Sequence, residues 1–180
     1  VGYPEKIGGW ARKGDNQFIG SARALKPWLT LESDRLIGVG THLKYYIEDG
    51  GVYYDITPIR NTTAAGDVTF SASQGSSVIT VTDTNHEARE GDFVTFSGAA
   101  SLGGAITADV LNQEYQIQTA PTTSTYTINA RAATTSVNQY YNNGVIDDSA
   151  ALVVATSGDT NTGGSSAVAA YQVQTGVDTS

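Results

Sequence analysis

Two histidines come first, because imidazole is the side chain best suited to proton transfer or metal binding near neutral pH. His86 lies in Asp83-Thr84-Asn85-His86-Glu87, with Glu90 and Asp92 close behind, a grouping that could set carboxylates around an imidazole. The same residues read as a turn and a solvated acidic loop leading into a strand at Phe93, and that reading is preferred. His42 stands between Thr41 and Leu43 with no partner at ligand spacing, and no His-x-x-x-His pair exists to build a zinc site. Asp83-x-Asn85-x-Glu87 and Asp159-x-Asn161 echo calcium loops. The first has Ala88 where the sixth-position glycine belongs and Val94 in place of the twelfth-position glutamate.

Nucleophile and phosphate signatures are also missing: no Gly-x-Ser-x-Gly elbow, P-loop or dinucleotide glycine fingerprint occurs. Gly98-Ala99-Ala100-Ser101-Leu102-Gly103 has the wrong spacing for an elbow and reads as a loop. Asp147-Asp148 would point to opposite faces of a strand and could not flank one glycosidic bond. The chain has no cysteine, which removes disulfides and thiolate metal sites. The expectation is a protein that is not an enzyme and carries no cofactor and no metal.

Aromatic side chains remain as functional candidates. Tyr45-Tyr46, Tyr53-Tyr54 and Tyr140-Tyr141 place one ring on each face of a strand, and Trp10 and Trp28 read as core or interface anchors. A flat amphipathic ring gives large contact area at low entropy cost. The candidate subunit interface is therefore Tyr45, Tyr46, Tyr53, Tyr54, Trp10 and Trp28.

The elements that position these residues are strands. The 180 residues are 39% hydrophobic, enough for a core, with no apolar run near the roughly 18 residues of a membrane helix. No secretory h-region opens the chain. The lack of any Met and the abrupt end at Gly176-Val177-Asp178-Thr179-Ser180 suggest part of a longer polypeptide. One helical turn is expected at Ser21-Ala22-Arg23-Ala24-Leu25, ended by Pro27. Strands are expected at 35–39, 43–47 and 52–56, the last two joined by Glu48-Asp49-Gly50-Gly51 as a tight hairpin. Further short strands are expected at 68–72, 77–82, 93–97, 114–119 and 125–129, in a small antiparallel barrel or sandwich. An exposed loop is expected over 158–166 and a last strand over 168–175.

Charge divides the chain near residue 60. Residues 1–60 hold eight Lys/Arg against seven Asp/Glu, and residues 61–180 hold two against eleven. The acidic remainder would repel phosphate backbones, so sequence-independent nucleic-acid binding there is not expected. The expected organisation is an N-terminal β segment over 1–61, an inserted module over 62–135 and a loop-rich return over 136–180.

Two sets of phrases carry a resemblance. Gly2-Tyr3-Pro4-Glu5-Lys6-Ile7-Gly8-Gly9-Trp10, Phe18-Ile19-Gly20-Ser21-Ala22-Arg23-Ala24-Leu25, Gly38-Val39-Gly40-Thr41-His42-Leu43-Lys44-Tyr45-Tyr46 and Tyr53-Tyr54-Asp55-Ile56-Thr57-Pro58-Ile59-Arg60 resemble the N-terminal part of virion structural proteins of tailed bacteriophages, usually described as tail proteins. Residues 78–82, His86, Gly91-Asp92-Phe93-Val94, Ser97-Gly98, Leu111-Asn112, Tyr115-Gln116-Ile117 and Tyr126-Thr127-Ile128 resemble a small β module inserted in such proteins. Ala170-Tyr171-Gln172-Val173-Gln174-Thr175-Gly176 looks like the point of return to their main body. The resemblance covers most of the chain and is weakest over 136–166.

It implies an all-β fold, with a propeller-like or meander β segment plus an inserted small antiparallel barrel or sandwich. It also implies a nozzle or hub subunit located in the virion tail. Its partners would be copies of itself in a ring and other tail or adaptor proteins, with no membrane segment and no sequence-specific nucleic acid. The alternative is a binding or decoration module contacting host-surface glycan or the capsid, which requires exposed aromatic and Asp/Asn side chains on one face of 66–130.

Overall fold

The computed structural model describes residues 18–133, 141–142, 145–146 and 152–173. Trp10, Tyr140 and Asp147-Asp148 lie outside the described residues. The first unit is an antiparallel meander of β1 (Ala22–Leu29), β2 (Arg35–Thr41), β3 (Tyr45–Asp49) and β4 (Val52–Asp55), paired in chain order. β3 and β4 join where the sequence places the hairpin. Gly50 and Gly51 adopt φ of 59° and 96°, a region that costs residues with a Cβ steric energy.

The helical turn expected over 21–25 is instead the start of β1. Alanine, arginine and leucine favour helix, but Leu25, Lys26, Pro27 and Trp28 pair with Val39, Gly38, Ile37 and Leu36 of β2. That pairing outweighs local propensity. Pro27 is tolerated because β1 is an edge strand, where a missing donor need not break a ladder.

The second unit contains β5 (Ile59–Thr62), β6 (Thr69–Ala72), β7 (Val78–Thr82), β8 (Phe93–Ser97), the one-turn helix α1 (Ala108–Leu111), β9 (Glu114–Gln116), β10 (Thr119–Thr122) and β11 (Thr125–Asn129). The pair β12 (Tyr141–Asn142) and β13 (Val145–Ile146) follows, then β14 (Val168–Gln172). Two four-stranded antiparallel sheets result, ordered β10-β11-β7-β6 and β5-β14-β8-β9. They face one another as a sandwich and do not close into a barrel.

The run expected as one strand over 114–119 is two. β9 pairs with β8 and β10 with β11, so the chain crosses between sheets at Ile117-Gln118. There Ile117 N–H still donates to Asp92 O at 2.8 Å, while Gln118 N–H already donates to Thr127 O at 2.9 Å. The final strand, expected over 168–175, is β14 over Val168–Gln172, with 174–175 outside the described residues, and it lies between β5 and β8.

Alternation places Phe70, Ile79, Val81, Tyr126 and Ile128 of one sheet against Val94, Phe96, Tyr115, Ala169 and Tyr171 of the other. The Phe70 and Phe96 rings meet edge-on at 5.0 Å. Polar groups inside this core are chained together. Tyr171 donates to Asp83 Oδ2 at 2.5 Å, which leaves Tyr126 to donate to the Tyr171 hydroxyl at 2.9 Å. Burial, first of all, pushes both phenols well above their ordinary range.

A second polar anchor lies at one end of the sandwich. Asp159 accepts from the backbone N–H groups of Gly104, Ala105, Ile106 and Thr156 at 2.8–3.0 Å and from the Thr156 hydroxyl at 3.0 Å. Burial raises its carboxyl, but the bonds from Thr156, Ile106 and Gly104 outweigh burial, and the group sits below its ordinary value. Gly104 is required here, since a Cβ would collide with the Thr156 and Asp159 side chains.

The two units are joined by one buried cation. Thr41 accepts from the Leu43 and Lys44 N–H groups, a tight turn that aims Lys44 inward. Lys44, 1% exposed, contacts Asp55 at 2.6 Å and Glu114 of β9 at 2.7 Å. Its ammonium stands 4.5 Å from the centre of the Phe93 ring. Gln172 of β14 donates to the same Glu114 at 2.8 Å. Around this point Ile19, Val39, Tyr46 and Phe93 form a small second core.

Two variants test these anchors. Replacing Asp159 with Asn should lower unfolding free energy by about 2–4 kcal/mol, because buried donors lose an ionised acceptor. The contribution of Asp159 is complete above its unfolded pKa of 3.8 and disappears as pH falls through the lower folded value. Urea titrations across that interval should therefore show a shallower acid limb in Asp159→Asn than in the parent. Lys44→Met should cost about 3–5 kcal/mol by leaving Glu114 buried without its cation, and Lys44→Met with Glu114→Gln should recover part of the loss.

Candidate association surface

The meander has one face against the sandwich and one turned outward. Cross-strand register puts Trp28, Leu36 and Val52 on the same side, with Gly38, Ile47 and Tyr54 in the next row and Gly40 and Tyr45 beyond. Glycine in β2 shapes this face. A Cβ on Gly38 would sit 3.1 Å from the Trp28 ring, so the indole lies directly on bare backbone. The result is a flat shelf in which Trp28, Tyr45, Val52 and Tyr54 are 38%, 41%, 42% and 55% exposed.

The opposite parity of β1 is also uncovered. Leu25 and Leu29 are each 65% exposed, and Leu31 at the β1–β2 turn is fully exposed. All eight residues of β1 are exposed. The free end of this hairpin therefore shows apolar groups on both faces, an arrangement that soluble surfaces avoid unless something covers it.

The six aromatic residues singled out in the sequence separate accordingly. Trp28, Tyr45 and Tyr54 share the outer shelf. Tyr46 and Tyr53 lie on the other face, where Tyr46 is buried and Tyr53 meets Phe18 edge-on at 5.1 Å. The Tyr46 hydroxyl accepts from the Ile19 N–H at 3.1 Å. These two are core contacts, and Trp10 lies outside the described residues. Leu25 was not legible as a surface group because residues 21–25 read locally as helix, and Leu29 and Leu31 lie beyond Pro27, where no element was expected. Lys44 carried no sequence signal, since Glu114 is 70 positions away.

The residues weighed for chemistry take structural places. His86 is 2% exposed. Its Nδ1 accepts from Ala88 N–H at 2.9 Å, and its Nε2 faces the Thr122 carbonyl at 3.1 Å. Nε2 must therefore carry the proton, and both ring nitrogens are engaged. The ring also packs edge-on against Tyr126 at 4.9 Å. His42 Nδ1 accepts from Ser21 N–H at 3.0 Å.

Asp83 and Asp159, which head the two calcium-like stretches, are held by the protein donors described above. Among the described residues no group of three or more His, Cys, Asp or Glu side chains is placed to hold a metal. No helix among them is long and apolar enough to cross a membrane. No protein-family model matches the chain, and no curated protein or solved structure shows significant similarity to it.

The shelf residues should matter little to the isolated fold. Trp28→Ser combined with Tyr54→Ser should change unfolding free energy by about 1 kcal/mol or less, as expected for half-exposed side chains. Tyr46→Ala should cost about 3–5 kcal/mol through cavity formation. Parallel denaturant titrations of the two variants check the assignment of faces.

Proposed function

We propose that the chain is a structural subunit of a tailed-bacteriophage particle, a nozzle or hub component of the tail. Its work is association with copies of itself and with neighbouring tail proteins. The observation that carries this reading is the free end of the β1–β2 hairpin, with Leu25 and Leu29 exposed on one face and Trp28 on the other. Buried apolar area contributes roughly 25 cal/mol per Å², so a contact that covers this end is favourable on area alone.

Two further features support it. The sequence phrases at both ends of the described chain resemble those of phage tail proteins. The meander has the four antiparallel strands, in chain order, of a propeller blade.

The glycan-binding alternative calls for exposed aromatics over 66–130. All five aromatic residues there, Phe70, Phe93, Phe96, Tyr115 and Tyr126, are at most 3% exposed, so that face offers no stacking platform. The assembly reading is the better supported of the two.

Sedimentation and light scattering of the purified protein, with and without its tail partners, test the proposal. Closed oligomers or entry into a tail complex are expected, with total interfaces above roughly 1,200 Å². The Trp28→Ser, Tyr54→Ser variant should remain folded yet fail to assemble. A strict monomer that enters no assembly and is absent from purified particles would refute the reading.

A further inference from the structure

We propose that a cleft on the sandwich, remote in character from the apolar hairpin, is a binding site for a small sugar acid. It would recognise a saccharide carrying a carboxylate or a phosphate through Arg60 and Arg89. The cleft has a volume of about 840 Å³, and its lining includes His86, Glu87, Ala88, Pro121 and Thr123 beside the two arginines. That volume falls within the range of small-molecule sites and exceeds the needs of a bare inorganic ion.

Charge is the first argument. In residues 59–173 the only lysines or arginines are Arg60, Arg89 and Arg131, and two of the three line this cleft. The surrounding unit is acidic, and with Glu87 also in the lining the two arginines leave the cleft one positive charge in excess. Arg89 is exposed, and its guanidinium makes no ion pair among the described residues.

The second argument is how Arg60 is held. Its Nη2 donates to the His86 carbonyl at 2.8 Å, and its guanidinium carbon stands 5.2 Å from the Tyr171 ring centre. The group is thus fixed by backbone and core, not by a carboxylate. Its nearest acid, Glu87, is 3.8 Å away with a side chain 83% exposed, a loose contact that a ligand could displace. Arg60 Nε is buried and has no hydrogen-bond partner among the described residues. A buried donor left unpaired is unusual in folded proteins, and the guanidinium thus keeps hydrogen-bonding capacity that the described residues do not use. Such fixed guanidinium groups are the usual readers of carboxylate and phosphate.

His86 belongs to this site as scaffold. Its two ring nitrogens are engaged by Ala88 N–H and the Thr122 carbonyl, so it ties the 86–88 turn to β10 without a free nitrogen for a ligand. Thr123 supplies a hydroxyl and Pro121 a small apolar surface in the lining, a mixture that suits the polar and CH faces of a sugar ring. This inference does not rest on the assembly reading. Either can fail without the other.

The test is NMR titration of the ¹⁵N-labelled protein with D-glucuronate, D-glucose 6-phosphate and neutral D-glucose. Both acids are expected to give saturable shifts at the amides of Ala88, Arg89 and Thr123, and glucose is expected to give none. Arg89→Gln should weaken the acids about tenfold while its other amides stay in place. Glu87→Gln, which removes the competing carboxylate, should tighten them severalfold. The acid with the lower Kd identifies which oxyanion the cleft prefers. Absence of saturable shifts with both acids, equal binding of glucose, or unchanged affinity in Arg89→Gln would each overturn the proposal.

Discussion

A single buried ammonium holds this molecule together. Lys44 belongs to the meander, yet its partner Glu114 belongs to the sandwich, and both lie where water is largely excluded. A charge buried in this way is tolerable only if its partners are fixed, because desolvation costs several kcal/mol per ion. The structure supplies that fixity from every side. A threonine turn positions Lys44, Asp55 shares its charge, Gln172 holds Glu114, and Phe93 offers its ring face. The ion pair therefore specifies one arrangement of the two units more than it adds raw stability.

That constraint has a consequence at the surface. Once the inner face of the meander is committed to Tyr46, Val39 and Phe93, the outer face and the whole of β1 extend beyond the sandwich. The apolar groups there have nothing in the chain's described residues to cover them. The exposed apolar surface is thus a property of the same sheet geometry that the Lys44 contact imposes, with the aromatic shelf as its visible result.

The sandwich follows a different logic. Its core is densely aromatic, and the polar atoms it encloses form chains that end on carboxylates. Tyr126 leads to Tyr171 and then to Asp83, while Asp159 gathers loop N–H groups into one nest. Asp83 and Asp159, two of the acids that the sequence offers as metal ligands, are in this way already hydrogen-bonded by protein donors. Arg60 differs from these groups, since its Nη2 donates to the His86 carbonyl while its buried Nε has no hydrogen-bond partner among the described residues.

The sequence by itself determined the β character, the Gly50-Gly51 hairpin, most of the short strands and the two-faced tyrosine pairs. Each depends on period-two alternation or on φ > 0, which neighbouring residues encode. It could not show that β1 is a strand, since its residues favour helix until β2 is alongside. Nor could it show that residues 114–122 cross between sheets, because that break answers to partners on two different strands. Lys44 with Glu114, Arg60 with His86 and Tyr171 with Asp83 were decided by tertiary structure alone. Such contacts join positions 26 to 88 residues apart, and no local pattern of side chains reports which distant partner burial will bring within reach.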